Sequence, residues 1–197
     1  YEAIGHCYDR LKNFAQARFY YRKASHLNQE DGKIFYKIAC TYFNEQQWES
    51  CIKQLEHAIR IHKPQPEYSL LMGECKMQLG LFKDAVQYFS NAVRLRPRNV
   101  AGWEALIRCL YKGGFNEEAM EQVEAALQVT NGKPIFLFYK ASILLSIGKS
   151  KEAILQLEKA MALAPKLLRK FIELNPASLQ NQLVVDVVAR FKRNRYI

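Results

Sequence analysis

Apolar residues recur three and four apart along most of the chain, as in "WEALIRCLY" (103–111) and "EEAMEQVEAAL" (117–127). That spacing puts one apolar stripe on each helix and predicts helices throughout. Period-two alternation is missing, so no strands are expected. The helices are cut into pairs. Gly80, Gly114 and Gly148 mark a turn inside the last three pairs, where glycine suits the left-handed residue past a helix end. Pro64 and Pro66, Pro97, Pro134 and Pro165 mark the breaks between pairs, since proline stops a helix.

The pairs repeat with a period of 34 residues. One column reads Ala24, Ala58, Ala92, Ala126 and Ala160, and a second reads Ala17, Cys51, Ala85, Ala119 and Ala153. Between them stands a large column of Tyr21, Leu55, Phe89, Val123 and Leu157. On the preceding helix Gly5, Ala39, Gly73, Ile107 and Ala141 are small in all but one place. Small residues let two helices joined by a short turn approach, and the large residue fills the space left. A pair cannot bury its apolar face alone, so stability is expected from stacking neighbours.

A 34-residue helix–turn–helix with Trp103, Leu106 and Leu110 in one unit and Gly73, Ala85, Phe89, Ala92 and Pro97 in another resembles the tetratricopeptide repeat (TPR) family. The resemblance implies an all-α, right-handed superhelical solenoid. Five units are expected over 1–165, the first truncated at its N-terminus, because Tyr1 already stands in the column of Phe35 and Trp103. Three positions depart from the pattern. Ile107 implies a slightly wider helix pair, and Lys76 and Lys140 stand in columns that are usually apolar.

After Pro165 the register fails. "KLLRKFIELNP" starts like another first helix and is stopped by Pro176, and Leu179, Leu183, Val187, Val188 and Phe191 then follow at helical spacing. Residues 166–197 are therefore expected to be capping helices with a basic end. This cap style looks similar to that of TPR proteins from Bacteroidetes.

Charge and composition narrow the function. The net charge is +10, of which residues 1–65 carry +3, 66–133 none and 134–197 +7. The basicity peaks at "RFKRNR", which suits a solvated helix end better than a nucleic-acid site. No apolar run approaches the ~18 residues of a membrane span. Cys7, Cys40, Cys51, Cys75 and Cys109 are odd in number and contain no CxxC, so they are expected as small core residues in a reducing, cytoplasmic setting. "GKS" at 148–150 lacks the glycine a phosphate loop needs five residues earlier, where Ile143 stands. His6, His26, His57 and His62 show no metal-ligand spacing, and no nucleophile stands in a catalytic context. No catalytic residues, cofactor or metal are expected.

The expected function is that of a non-catalytic protein–protein interaction scaffold. In the TPR family the concave face, lined by the first helix of each pair, holds a partner's peptide or helix. Projected onto this sequence, that face offers Tyr36, Lys37, Phe43, Glu74, Arg108, Tyr111, Lys112 and Phe138. One branch of the family clamps the C-terminal carboxylates of heat-shock chaperones with lysine, asparagine and arginine spread over three units. No three consecutive units here carry that set. The alternatives are a docking or regulatory arm of a larger enzyme, whose catalytic domain lies outside this sequence, and self-association through the open N-terminal end of the stack.

Overall fold

Each helix pair is closed by the same hydrogen bond, repeated at the sequence period. In the computed structural model, Asn13, Gln47, Leu81, Phe115 and Lys149 each donate a backbone N–H to the carbonyl five residues earlier, all at 2.9 Å. The residue before each donor adopts a left-handed backbone: Lys12 (φ 58°), Gln46 (59°), Gly80 (76°), Gly114 (81°) and Gly148 (79°). This is a Schellman-type helix end. The turn is thus present in all five pairs, although only three of them carry the glycine that signals it.

The structure describes residues 1–63 and 65–193. Pro64 and Arg195, expected as a helix stop and as part of the basic cluster, lie outside them, as does the side chain of Lys192. Ten helices form the five pairs: α1 (Glu2–Arg10) with α2 (Phe14–Leu27), α3 (Gly32–Asn44) with α4 (Trp48–Ile61), α5 (Pro66–Gln78) with α6 (Phe82–Leu95), α7 (Val100–Lys112) with α8 (Asn116–Val129), and α9 (Pro134–Ser146) with α10 (Ser150–Leu163). Pro66 and Pro134 occupy the first turn of α5 and α9, where their missing N–H costs nothing. Asn13, Asp31 and Asn99 cap α2, α3 and α7 by accepting a backbone N–H.

The chain forms two compact units, Tyr1–Arg96 and Pro97–Ile197. In the first, Ala39, Cys51, Leu55, Ala58, Tyr68, Met72 and Cys75 make one core cluster, joined through Tyr42 and Phe35 to that of Ala17, Tyr21 and Ile38. The alanine columns are buried throughout, and Ala17, Ala58, Ala85, Ala119, Ala126, Ala153 and Ala160 have no exposed surface. Cys51, Cys75 and Cys109 are buried as expected, whereas Cys40 is half-buried and Cys7 is exposed.

The departures from the repeat are accommodated locally. Lys76 and Lys140, their side chains mostly covered, carry their ammonium groups to Asp84 and Glu124 on the neighbouring second helices. Ile107 is fully buried, and the large column contracts to Val123 in the same pair. The backbones of α7 and α8 come close at fewer positions than those of any other pair, in keeping with a wider spacing.

The second unit ends in a turn of 3₁₀ helix at Pro165–Leu167, α11 (Leu168–Leu174), a second 3₁₀ stretch at Pro176–Gln180, and α12 (Gln182–Arg193). Phe171 of α11 and Val184 and Val187 of α12 close over Phe138, Ala141, Leu157, Ala160 and Met161. The buried stripe of α12 therefore runs through Val184, Val187, Val188 and Phe191. Leu179 and Leu183, expected on that face, are 46% and 49% exposed. Leu179 belongs to the 3₁₀ stretch, so the helical count starts later than the sequence spacing suggested.

Candidate functional site

First helices lie next to first helices within each unit: α3 beside α5, and α7 beside α9, with α11 added against α9. The face they share is where the sequence placed the binding residues. In the first unit most of those residues are already engaged. Tyr36 is half-buried, its ring 5.1 Å from that of Tyr68, and burial pushes its phenol up. Phe43 meets Trp48 edge-on at 5.1 Å. Lys37 Nζ lies 2.6 Å from Glu2 Oε1, tying α3 to α1, and this hydrogen bond lowers the Glu2 carboxyl. Glu74 is half-buried on α5 and is itself engaged in an interaction.

The second unit brings the expected residues into two neighbouring recesses. One, of about 320 Å³, is lined by Glu104, Arg108 and Lys112 of α7, Tyr139 of α9, and Lys170, Glu173 and Leu174 of α11. Lys170 Nζ bridges both carboxylate oxygens of Glu104, at 2.9 and 2.7 Å, and so pins α11 to α7. Burial raises the Tyr139 phenol, helped by the negative charge of Glu104 and opposed by Arg108. The other recess, of about 300 Å³, lies beside it. Tyr111, Leu145 and Ser146 form one wall, and Asn175, Ala177, Ser178 and Asn181 of the segment after α11 form the other. Burial raises the Tyr111 phenol, opposed by the nearby Ser146 hydroxyl, which itself donates to the Ile143 carbonyl at 2.7 Å.

Phe138 does not belong to this surface. It has no exposed area and packs on Phe171, with ring centroids 6.2 Å apart. The sequence reading put it on the first-helix face, but α11 covers that part of the face. Ser142, one turn further along α9, is enclosed with it and donates to the Phe138 carbonyl. The polar residues of the 175–181 segment were missed, because that segment lies beyond the last repeat and carries no column to read. The one available signal was the break of register itself, "NPASLQN".

A larger recess of about 640 Å³ lies in the first unit, around Arg18, Phe19, Arg22, Tyr42 and Gln47. Its cations are tied up within the fold. Arg18 Nη1 lies 2.7 Å from Glu45 Oε2 with its guanidinium over the Tyr42 ring, and Arg22 donates to the Tyr42 hydroxyl at 2.8 Å. Among the described residues no group of three or more histidine, cysteine or acidic side chains is arranged to hold a metal, and no helix is long and apolar enough to cross a membrane.

Family models for tetratricopeptide repeats match residues 70–134 and 136–167, and the model for subunit 3 of the anaphase-promoting complex, cyclosome, matches residues 5–92. The chain is 26% identical over 165 residues to the TPR repeat-containing protein YpiA of Bacillus subtilis (strain 168), an alignment covering 83% of this chain and 39% of that protein. Among solved structures it is similar to YrrB, a TPR protein with an unusual peptide-binding site, at a TM-score of 0.67 and 18% identity over 94% of this chain and 88% of the other. It is also similar to the C-terminal part of a TPR repeat-containing protein from Cytophaga hutchinsonii, at a TM-score of 0.75 and 14% identity over 97% of this chain and 78% of that one. With the 34-residue register and the repeated helix ends, these matches define the class: the chain belongs to the tetratricopeptide repeat family, an all-α solenoid that binds other proteins.

Proposed function

We propose that this protein is a non-catalytic scaffold that captures a peptide or helix of a partner protein on the face formed by its first helices. The observation that carries this reading is the pair of adjoining recesses around Arg108, Tyr111 and Lys112, open to solvent. Aromatic and arginine side chains supply most of the energy in such contacts. Lys37 and Glu74 add charge on the corresponding face of the first unit. Tyr36 and Phe43 present there only what their packing leaves uncovered. The peptide-binding site of YrrB, a protein of the same fold, supports the assignment.

The test is peptide capture by the wild-type chain against Arg108→Glu and Tyr111→Ala, with thermal melting as the control. Loss of capture with an unchanged melt is the expected outcome. Capture that survives both substitutions refutes this placement of the site.

A further inference from the structure

The repeat makes one group of charges in the first unit stand out. Arg18 of α2 occupies a column that reads Ile52, Val86, Met120 and Ile154 in the other four pairs. Its partner Glu45 occupies one that reads Leu11, Leu79, Gly113 and Ile147. One turn further on, Arg22 stands where the other pairs carry Glu56, Ser90, Glu124 and Glu158. The Arg18–Glu45 pair is mostly covered, its side chains 13% and 28% exposed, and a covered ion pair gains little over the apolar residues it replaces. Stability alone does not call for these charges. Both arginines line the recess of about 640 Å³.

Both are held in place, but only one is neutralised. Arg18 is balanced by Glu45, and its guanidinium lies 4.5 Å over the Tyr42 ring. Arg22 donates from Nη2 to the Tyr42 hydroxyl at 2.8 Å, a contact that orients its fork and leaves its charge in place. Among the described residues Arg22 meets no carboxylate. It is an exposed residue, so the rest of its five-donor fork is open to an incoming group. No acidic side chain lines the recess, and Gln16 and Gln47 complete its polar wall. Phe19, 49% exposed, forms an apolar wall, with Lys23 Nζ 4.5 Å from its centroid.

We propose that this recess takes the carboxylate of an aspartate or glutamate on a partner protein, with an adjoining apolar residue of that partner laid on Phe19. One unbalanced guanidinium matches one monoanion, and the planar fork suits a carboxylate through paired N–H···O bonds. A phosphate group brings about two charges to a lining that offers one. A neutral side chain gains no charge-assisted bond here. The recess is far larger than a carboxylate, so the anion fills it only as part of a larger body such as a protein segment. The site is built on α2 and on the end of α3 and the turn that follows it. It goes beyond capture by the first helices and does not depend on it.

The experiment pans the 197-residue chain against a phage-displayed library of random peptides and remeasures each selected peptide on Arg22→Gln by fluorescence polarisation. Expected is a set that loses about tenfold or more in affinity on this variant and carries an aspartate or glutamate beside an aromatic or aliphatic residue. Changing that acid to its amide should cost the same on the wild-type chain, and the two changes together should cost no more than either alone. Arg22→Lys keeps the charge without the fork and should recover only part of the affinity. The side chain is exposed, so both variants should melt with the wild type. The peptides of this set should shift the backbone amide resonances of Phe19, Arg22 and Gln47. Losses that add, or shifts confined to other residues, overturn the inference. A phosphoserine that binds more tightly than the acid it replaces overturns the carboxylate assignment. If every selected peptide needs Arg108 and Tyr111 and none needs Arg22, this inference falls and the first-helix reading stands. Peptides that need Arg22 alone support it whatever becomes of that reading, and a library that yields no peptide overturns both.

Discussion

Gly73 lies directly under the ring of Phe89: a β-carbon added to Gly73 would sit 2.6 Å from Phe89 Cε1 and 2.8 Å from Cδ1 and Cζ. The same relationship joins Gly5 to Tyr21, with Cδ1 at 2.6 Å. Size is traded across the pair from unit to unit. Glycine stands opposite an aromatic ring, Ala39 and Ala141 stand in register with Leu55 and Leu157, and Ile107 stands in register with Val123.

This trade predicts the outcome of Gly73→Ala. Alanine is the better helix former by about 1 kcal/mol, yet the buried ring has nowhere to move, and overpacking costs about 1–3 kcal/mol. Denaturant unfolding should show a net loss. Phe89→Leu alone should also destabilise, by leaving a cavity above Gly73. The double variant recreates the Ala39/Leu55 combination and should recover most of the loss. Additive losses in this double-mutant cycle refute the size trade.

Lys12 and Gln46 hold the left-handed position that glycine fills in the other three pairs. The left-handed conformation costs a side-chain-bearing residue about 1–2 kcal/mol, and glycine gives back part of the gain through its larger freedom when unfolded. Gln46→Gly should therefore raise stability by up to about 1 kcal/mol. Gly114→Gln should lower it by a similar amount, although nothing lies within 4 Å of its would-be β-carbon, because the cost is one of backbone conformation. Thermal melts of the two variants, shifting in opposite directions, check both.

These two features differ in how far the sequence disclosed them. The columns through Gly73 and Phe89 were readable because a repeat imposes the same contact five times, so one odd residue is seen against four others. The turn was readable only where glycine marks it, since Lys12 and Gln46 carry no such chemical signal. Helices after Pro165 were expected, but their register was not legible. Leu183 and Val184 are equally apolar, and only packing against Phe171 and Met161 selects Val184. The polar recess was invisible for a related reason, because proximity of Ser178 to Tyr111 comes from α11 folding back on α9 and from no local pattern.

Tyr21 fills the large column with a phenol whose hydroxyl is buried and has no partner. Burial, with a contribution from Asp9, pushes its ionisation up to about 12, and the phenols of Tyr36 and Tyr139 are raised as well. Tyr21→Phe copies Phe89 in the same column and removes the unpaired group, so it should stabilise by up to about 1 kcal/mol.

The same raised phenols set the alkaline limit. The folded state holds them neutral, while the unfolded chain loses these protons near the ordinary tyrosine value of about 10. Their contribution to stability is therefore full below about pH 10 and is lost as the pH rises through the folded values. On an alkaline titration, tyrosinate absorbance from these residues should appear together with the loss of helical circular dichroism. Ionisation complete well before unfolding refutes their burial as the cause.

Phe138 and Tyr111 separate the core from the proposed binding face most directly. Both stand on first helices, and no sequence pattern distinguishes them. The structure buries Phe138 completely beneath Phe171, whereas Tyr111 keeps an edge on the recess beside Ser146. Phe138→Ala removes an enclosed ring between the last repeat and its cap, a change that costs about 3–5 kcal/mol. It should lower the melting temperature and loosen α11, read as faster amide exchange at Phe171 and Leu174. Because α11 carries Lys170 and leads into Ser178, peptide capture should also fall, but as a consequence of lost structure. Tyr111→Ala should reduce capture with little change in the melt. If Phe138→Ala instead spares stability and abolishes capture, the cap does not close over α9 as described, and Phe138 returns to the binding face.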